Sequence, residues 1–128
     1  MSVKSKGTNA ERELLHMFWS RGFACIRSAG SGSMKYPGPD LIASNKIRKL
    51  AVECKTTKSN KQYLDKHDIN QLKEFCEIFG AEPWFAVKFS GMEWLFLSFE
   101  DIEKTENNFV IGKKIAERRG LLIDELIK

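Results

Sequence analysis

Pro39-Asp40, followed after twelve residues by Glu53-Cys54-Lys55, constrains this 128-residue chain more than any other feature. The apolar segment Leu50-Ala51-Val52 runs into Glu53-Cys54-Lys55-Thr56, so charge appears where a buried strand should stay apolar. Side chains alternate across a strand, so Glu53 and Lys55 share one face, about 7 Å apart. Asp40 opens a neighbouring run, Asp40-Leu41-Ile42-Ala43, and a hairpin through Ser44-Asn45-Lys46 brings it beside Glu53. Two convergent carboxylates suit a hard divalent cation such as Mg2+, which takes oxygen ligands and keeps several waters. A lysine beside them can stabilise developing negative charge or position a water. Metal, water and lysine together are equipment for phosphodiester hydrolysis.

The length fits one domain over residues 1–128, with room for one core but not two. No apolar run approaches the roughly 20 residues of a membrane span, and Met1 to Gly7 lacks the apolar stretch of a signal peptide. Cys25, Cys54 and Cys76 are odd in number, have no CxxC spacing and sit in apolar segments. They read as reduced core thiols of a cytoplasmic protein. A net charge of +4 permits a polyanionic partner without demanding one. Clustering says more than the total. Lys4, Lys6, Arg12, Arg27, Lys35, Lys55, Lys58, Lys61 and Lys66 all fall in the first half, around the acidic pair.

The pattern predicts an α/β fold, a central mixed β-sheet flanked by α-helices. Thr8-Asn9-Ala10-Glu11 fits a capping box opening a helix with Gly22 as its stop, and Leu14, Leu15, Phe18 and Trp19 form its apolar stripe. Phe23 to Arg27 reads as a strand. The Gly/Ser-rich stretch Ser28 to Gly38 reads as a mobile loop. The two carboxylate-bearing strands follow, then a polar, basic loop from Lys58 to His67. Asp68 is expected to cap a second helix ending at Phe79, with Gly80 beyond it. Trp84 to Phe89 and Glu93 to Phe99 read as a hairpin around Ser90-Gly91, Phe109 to Ile111 as a short strand, and Leu121 to Ile127 as a terminal helix. Gly112 to Gly120 carries no motif. Trp94-Leu95-Phe96-Leu97 does not alternate, so both faces of that strand need cover. Either helices of the same monomer or an apolar dimer surface could supply it.

Glu11 lies three, four and seven residues before Leu14, Leu15 and Phe18, so it heads the apolar stripe. Capping alone would explain it, but with Asp40 and Glu53 present it reads as a third acidic member of a metal site. Gly38-Pro39 stiffens the chain ahead of Asp40. Ser31, between Gly30 and Gly32, sits where backbone N–H groups can approach a phosphate. His16 and His67 have no spacing that suggests ligation.

Taken together, these segments resemble the archaeal Holliday junction resolvases. The resemblance rests on Lys6-Gly7-Thr8-Asn9-Ala10-Glu11-Arg12-Glu13-Leu14, Gly22-Phe23, Arg27-Ser28-Ala29-Gly30-Ser31, Pro39-Asp40-Leu41-Ile42-Ala43 and Glu53-Cys54-Lys55, then Phe75, Phe79, Gly80 and Ala86-Val87-Lys88. It implies a restriction-endonuclease-like nuclease core and a homodimer that nicks paired strands of a four-way DNA junction in recombination and repair. It also implies magnesium dependence, with Mn2+ able to substitute. By position, Glu11, Asp40 and Glu53 would be the metal site, Lys55 the catalytic lysine and Ser31 a catalytic residue near the scissile phosphate. Arg12, Arg27, Ser31, Lys35, Lys58, Lys61 and Lys66 would bind DNA. Two other readings stay open: a repair or restriction nuclease with the same core, and a nucleic-acid-binding module whose acids are structural.

Overall fold

The structure is a computed structural model that describes residues 3–28 and 36–128. The first helix, α1 (Val3–Ser20), closes through a left-handed Gly22 at φ 84°. Phe23 N–H reaches back to the Phe18 carbonyl (3.0 Å) and Gly22 N–H to that of Trp19 (3.2 Å), while the Phe18 and Phe23 rings meet at 6.0 Å. These are the paired bonds and apolar contact that end a helix at glycine. The predicted capping box does not open this helix, because Val3 to Gly7 contains no proline and the helix runs on through it. Thr8 is therefore interior, and the Glu11 carboxylate is released for another partner.

Five strands form the main sheet in the order β1 (Ala24–Arg27), β2 (Leu41–Ser44), β3 (Lys49–Thr57), β5 (Glu82–Phe89) and β6 (Leu95–Leu97). Among the described residues only β3 and β5 run parallel, joined through α2 (Lys66–Phe79). The β2–β3 turn is set by Asn45. Its side-chain oxygen accepts from Ile47 N–H (2.8 Å) and Arg48 N–H (2.7 Å), and its own N–H donates to the Arg48 carbonyl (3.0 Å). An Asx turn of this kind fixes the pairing register. Leu41 faces Val52, so one step further Asp40 stands opposite Glu53.

Each face of the sheet carries its own core. Leu14 and Phe18 of α1 pack on Leu41, Ala43, Leu50, Val52, Trp94 and Phe96, joined by Ile123 and Leu126 of the terminal helix α4 (Ile123–Leu126). Leu72 and Cys76 of α2 pack on Ala51, Phe85, Val87, Phe89, Leu95 and Leu97. Burying each of the larger side chains stabilises the fold by roughly 2 kcal/mol. Phe18→Ala should cost about 3–5 kcal/mol, because its site is sealed by Phe23 and Phe96. The unbroken run Trp94 to Leu97 is explained within one chain. Trp94 and Phe96 face the α1 side, Leu95 and Leu97 the α2 side, and helices cover both. Phe96 is fully buried and offers no surface to a partner.

Three elements depart from the sequence pattern. The expected loop Lys58 to His67 contains β4 (Lys61–Leu64), which pairs with β8 (Phe109–Gly112) and, through it, with β7 (Glu103–Lys104) in a second, three-stranded sheet. Only Leu64 of β4 is buried, so alternation there is too weak to read without the distant partner. Gly112 to Gly120 holds α3 (Lys113–Arg119), whose buried Ala116 packs into the α2-side core. The second helix starts at Lys66, capped by Asp65, whose carboxylate accepts from His67 N–H (3.0 Å). Asp68 is thus inside the first turn rather than at the cap. Among the described residues no helix is long and apolar enough to cross a membrane, and all three cysteines are free.

Candidate active site

The site forms where β2 stops short of β3. Among the described residues, the β3 edge has no strand partner on the β2 side beyond Val52. The Asp40 carboxylate takes the place of that partner, accepting the Cys54 N–H at 2.8 Å. The Asp40 carbonyl meanwhile accepts from Ser28 N–H (2.9 Å), tying the end of β1 to the same point. Glu53 and Lys55 point to the α2 face of the sheet, as their alternation with Val52 and Cys54 requires. Glu11 arrives from the other face. It sits one turn before Leu14 on the buried stripe of α1 and bonds Arg27 Nη1 at 3.3 Å. Around the open edge, these side chains line one cavity of about 410 Å³, together with Tyr36, Gly38, His67, Asp68 and Gln71.

The charge balance in this cavity is acidic. Glu11, Asp40, Glu53 and Asp68 face Lys55 and the Arg27 partner of Glu11. Burial, with Asp40 beside it, pushes Glu53 up to about 9, and Asp68 and Glu11 add to the shift against Lys55. Burial also raises Asp40, although the Cys54 N–H and Lys55 oppose the rise. Glu11 is raised by burial and then by Asp40, with Arg27 opposing. Burial works against the Lys55 ammonium, but Asp68, Glu53 and Asp40 outweigh it and its pKa is raised. Lys55 is therefore a stable cation at neutral pH and cannot accept a proton. The Cys54 thiol is pushed well above its ordinary value by burial and by the neighbouring acids, so the cavity offers oxygen donors rather than a thiolate. Among the described residues, no three His, Cys, Asp or Glu side chains close into a ready-made metal cage. A magnesium-type ion needs only one or two carboxylates because it retains several of its own waters. A carboxylate-rich, charge-frustrated donor set fits such an ion.

Of the expected site residues, Glu11, Asp40, Glu53 and Lys55 share the cavity. Ser31 and Lys35 lie outside the described residues. Arg27 is half-buried and engaged by Glu11. Arg12, Lys58, Lys61 and Lys66 are exposed, with no ion pair among the described residues. Lys58 follows β3, Lys61 opens β4 and Lys66 opens α2, so in close succession all three follow the strand that carries Glu53 and Lys55. Sequence reasoning passed over Asp68, His67 and Gln71 as cavity-lining residues. Their spacing in the first turns of α2 is a usable signal only once the helix start is known.

Comparison with known proteins gives one answer. The family profile described as archaeal Holliday junction resolvase (hjc) matches residues 2–128. The crossover junction endodeoxyribonuclease Hjc of Archaeoglobus fulgidus is 42% identical over 130 residues, covering 96% of either chain. The protein of the same name from Methanocaldococcus jannaschii is 44% identical over 110 residues, covering 86% of this chain and 78% of that one. The solved structure of A. fulgidus Hjc, a Holliday junction resolvase, superposes with a TM-score of 0.87 at 39% identity, covering 93% of this chain and 96% of the other.

Proposed function

This chain belongs to the archaeal Holliday junction resolvase family, and from that premise we propose that the acidic cavity at the β3 edge is its active site. The protein is a crossover junction endodeoxyribonuclease, an enzyme that resolves four-way DNA junctions in recombination and repair. The observation that carries the site assignment is the convergence of Glu11, Asp40, Glu53 and Lys55 from three elements onto one cavity.

In this reading Asp40 and Glu53, with Glu11 beside them, hold Mg2+, or Mn2+ in its place. The bound cation would lower the pKa of a water and stabilise the leaving oxygen in an in-line displacement at phosphorus. The protein's own contribution is positional. The Cys54 N–H fixes one oxygen of Asp40 against the open β3 edge. Arg27 holds Glu11 at the cavity wall in the absence of DNA and is a phosphate contact when DNA enters. Lys55, being protonated, donates to a phosphate oxygen or orients the attacking water. Ser31 assists near the scissile phosphate. Arg12, Lys35, Lys58, Lys61 and Lys66 supply backbone contacts, which suit an enzyme that reads junction shape rather than sequence. Residues 1–128 act as a single nuclease domain with one site, and two symmetric cuts call for a two-fold homodimer.

Asp40→Asn tests the assignment. It should lower cleavage of a synthetic junction by more than about 10²-fold, since one preorganised electrostatic contact is worth that much. Junction affinity should stay within a few-fold, because affinity comes from cation–phosphate contacts. Full cleavage by purified Asp40→Asn would remove Asp40 from the site.

A further inference from the structure

Asp68 differs from the other acids in the cavity by the partner it holds. Asp40 takes a backbone N–H and Glu11 takes Arg27, while Asp68 Oδ2 lies 3.2 Å from Lys55 Nζ. Lys55 is the sole hydrogen-bond partner of Asp68 among the described residues, and both side chains are more than two-thirds buried. The platform beneath Asp68 is stiff. Asp65 caps the helix start, and Leu72 and Cys76 anchor the next turns in the core. The helix N-terminus also favours a charged carboxylate in its first turn. Lys55, by contrast, stands on an open strand edge with a flexible four-carbon stem. Its competing acceptor is Glu53, on the same face of the same strand. A lysine that turned to Glu53 would neutralise an acid wanted for the cation.

We propose that Asp68 is the positioning residue for Lys55: it holds the ammonium over the cavity from the α2 side and away from Glu53. This rests on Lys55 acting in catalysis as proposed above. With the role goes a division of labour among four carboxylates, three directed at the cation and one at the lysine.

Single-turnover cleavage of a four-way junction at saturating enzyme and Mg2+ tests it, in wild type, Asp68→Asn, Asp68→Glu, Lys55→Met and the Asp68→Asn/Lys55→Met double variant. Asp68→Asn should slow cleavage by about 10- to 100-fold, the scale of a misplaced catalytic group, with junction Kd within about threefold. Asp68→Glu should recover most of the rate. In the Lys55→Met background, Asp68→Asn should change the residual rate by less than about twofold, because the two act through one contact. A readout independent of catalysis is the Lys55 ammonium cross-peak in a 15N–1H spectrum of lysine-labelled protein, assigned by its loss in Lys55→Met. It should be present in wild type and Asp68→Glu and absent in Asp68→Asn. A wild-type rate for Asp68→Asn, a persisting cross-peak, or an undiminished effect of Asp68→Asn without the lysine would overturn the proposal. Lys55→Met cutting at the wild-type rate would take the active-site assignment down with it. A slow Lys55→Met beside a normal Asp68→Asn would remove the positioning role alone.

Discussion

Glu53→Gln should stabilise the metal-free protein at neutral pH, although it removes a residue assigned to catalysis. Burial first, then the Asp40 charge, raises Glu53 from an ordinary 4.5 to about 9. The folded state therefore keeps a proton that the unfolded chain sheds. A raised carboxyl pKa costs nothing below the unfolded value, and stability is lost as pH rises from 4.5 towards 9. At about 1.4 kcal/mol per pH unit, the loss reaches at most about 3 kcal/mol by pH 7. Asp40 is raised too, by burial above all, with the Cys54 N–H, Lys55 and a hydrogen bond from Glu53 opposing the rise, so the cost belongs to the pair and a gain of about 2 kcal/mol is the scale expected of the single variant. Glutamine keeps a donor towards Asp40 and removes the ionisation that favours the unfolded chain. For a chain of this size the gain corresponds to roughly 8 °C in Tm. Calorimetry in EDTA at pH 4, 7 and 9 measures it. The variant should melt close to wild type at pH 4 and clearly above it at pH 7 and 9. Added Mg2+ should close the gap by raising wild type alone, because a ligand that binds only the folded state stabilises it. A gap that does not change with pH, or a variant less stable than wild type at pH 7, would refute the picture of a frustrated acidic cluster.

Three further outcomes follow from the packing and from the role proposed for Ser31. Phe79 is 43% exposed and stacked on Phe75 at 5.0 Å, beside an 81% exposed Ile78; Phe79→Glu should give a folded monomer in equilibrium sedimentation that fails to make paired cuts, whereas Phe96→Glu should unfold the chain because its site is sealed. Ser31→Ala should lower the single-turnover rate more than junction affinity, and kinetics equal to wild type would leave Ser31 without a catalytic role.

The placement of Asp40, Glu53 and Lys55 around β3 was legible because two short-range rules act there together. Alternation placed Glu53 and Lys55 on one face, and the Asn45 turn placed Asp40 opposite Glu53. Glu11 was legible for a different reason. Its position on the buried stripe of α1 mattered, and the capping role first suggested for it did not, since the helix begins five residues before Thr8. Asp68 was hidden by a shift of three residues in the helix start, from Asp68 to Asp65, which moved it from a cap to the cavity wall. The β4 strand was hidden because its partner Phe109–Gly112 lies more than forty residues away and only one of its side chains is buried. Aromatic crowding around Trp94 to Phe99 was read correctly as a demand for cover on two faces. Sequence alone could not say that helices of the same chain meet that demand, because it does not reveal which element docks on which face.

The most direct test compares cleavage of a synthetic four-way junction with that of a linear duplex of the same sequence, each with and without Mg2+. The junction should be cut in paired, symmetric positions only when Mg2+ is present, while the duplex stays intact. Junction cleavage that persists in EDTA, or equal cutting of the duplex, would contradict the assignment of a metal-dependent, junction-selective site to Glu11, Asp40, Glu53 and Lys55.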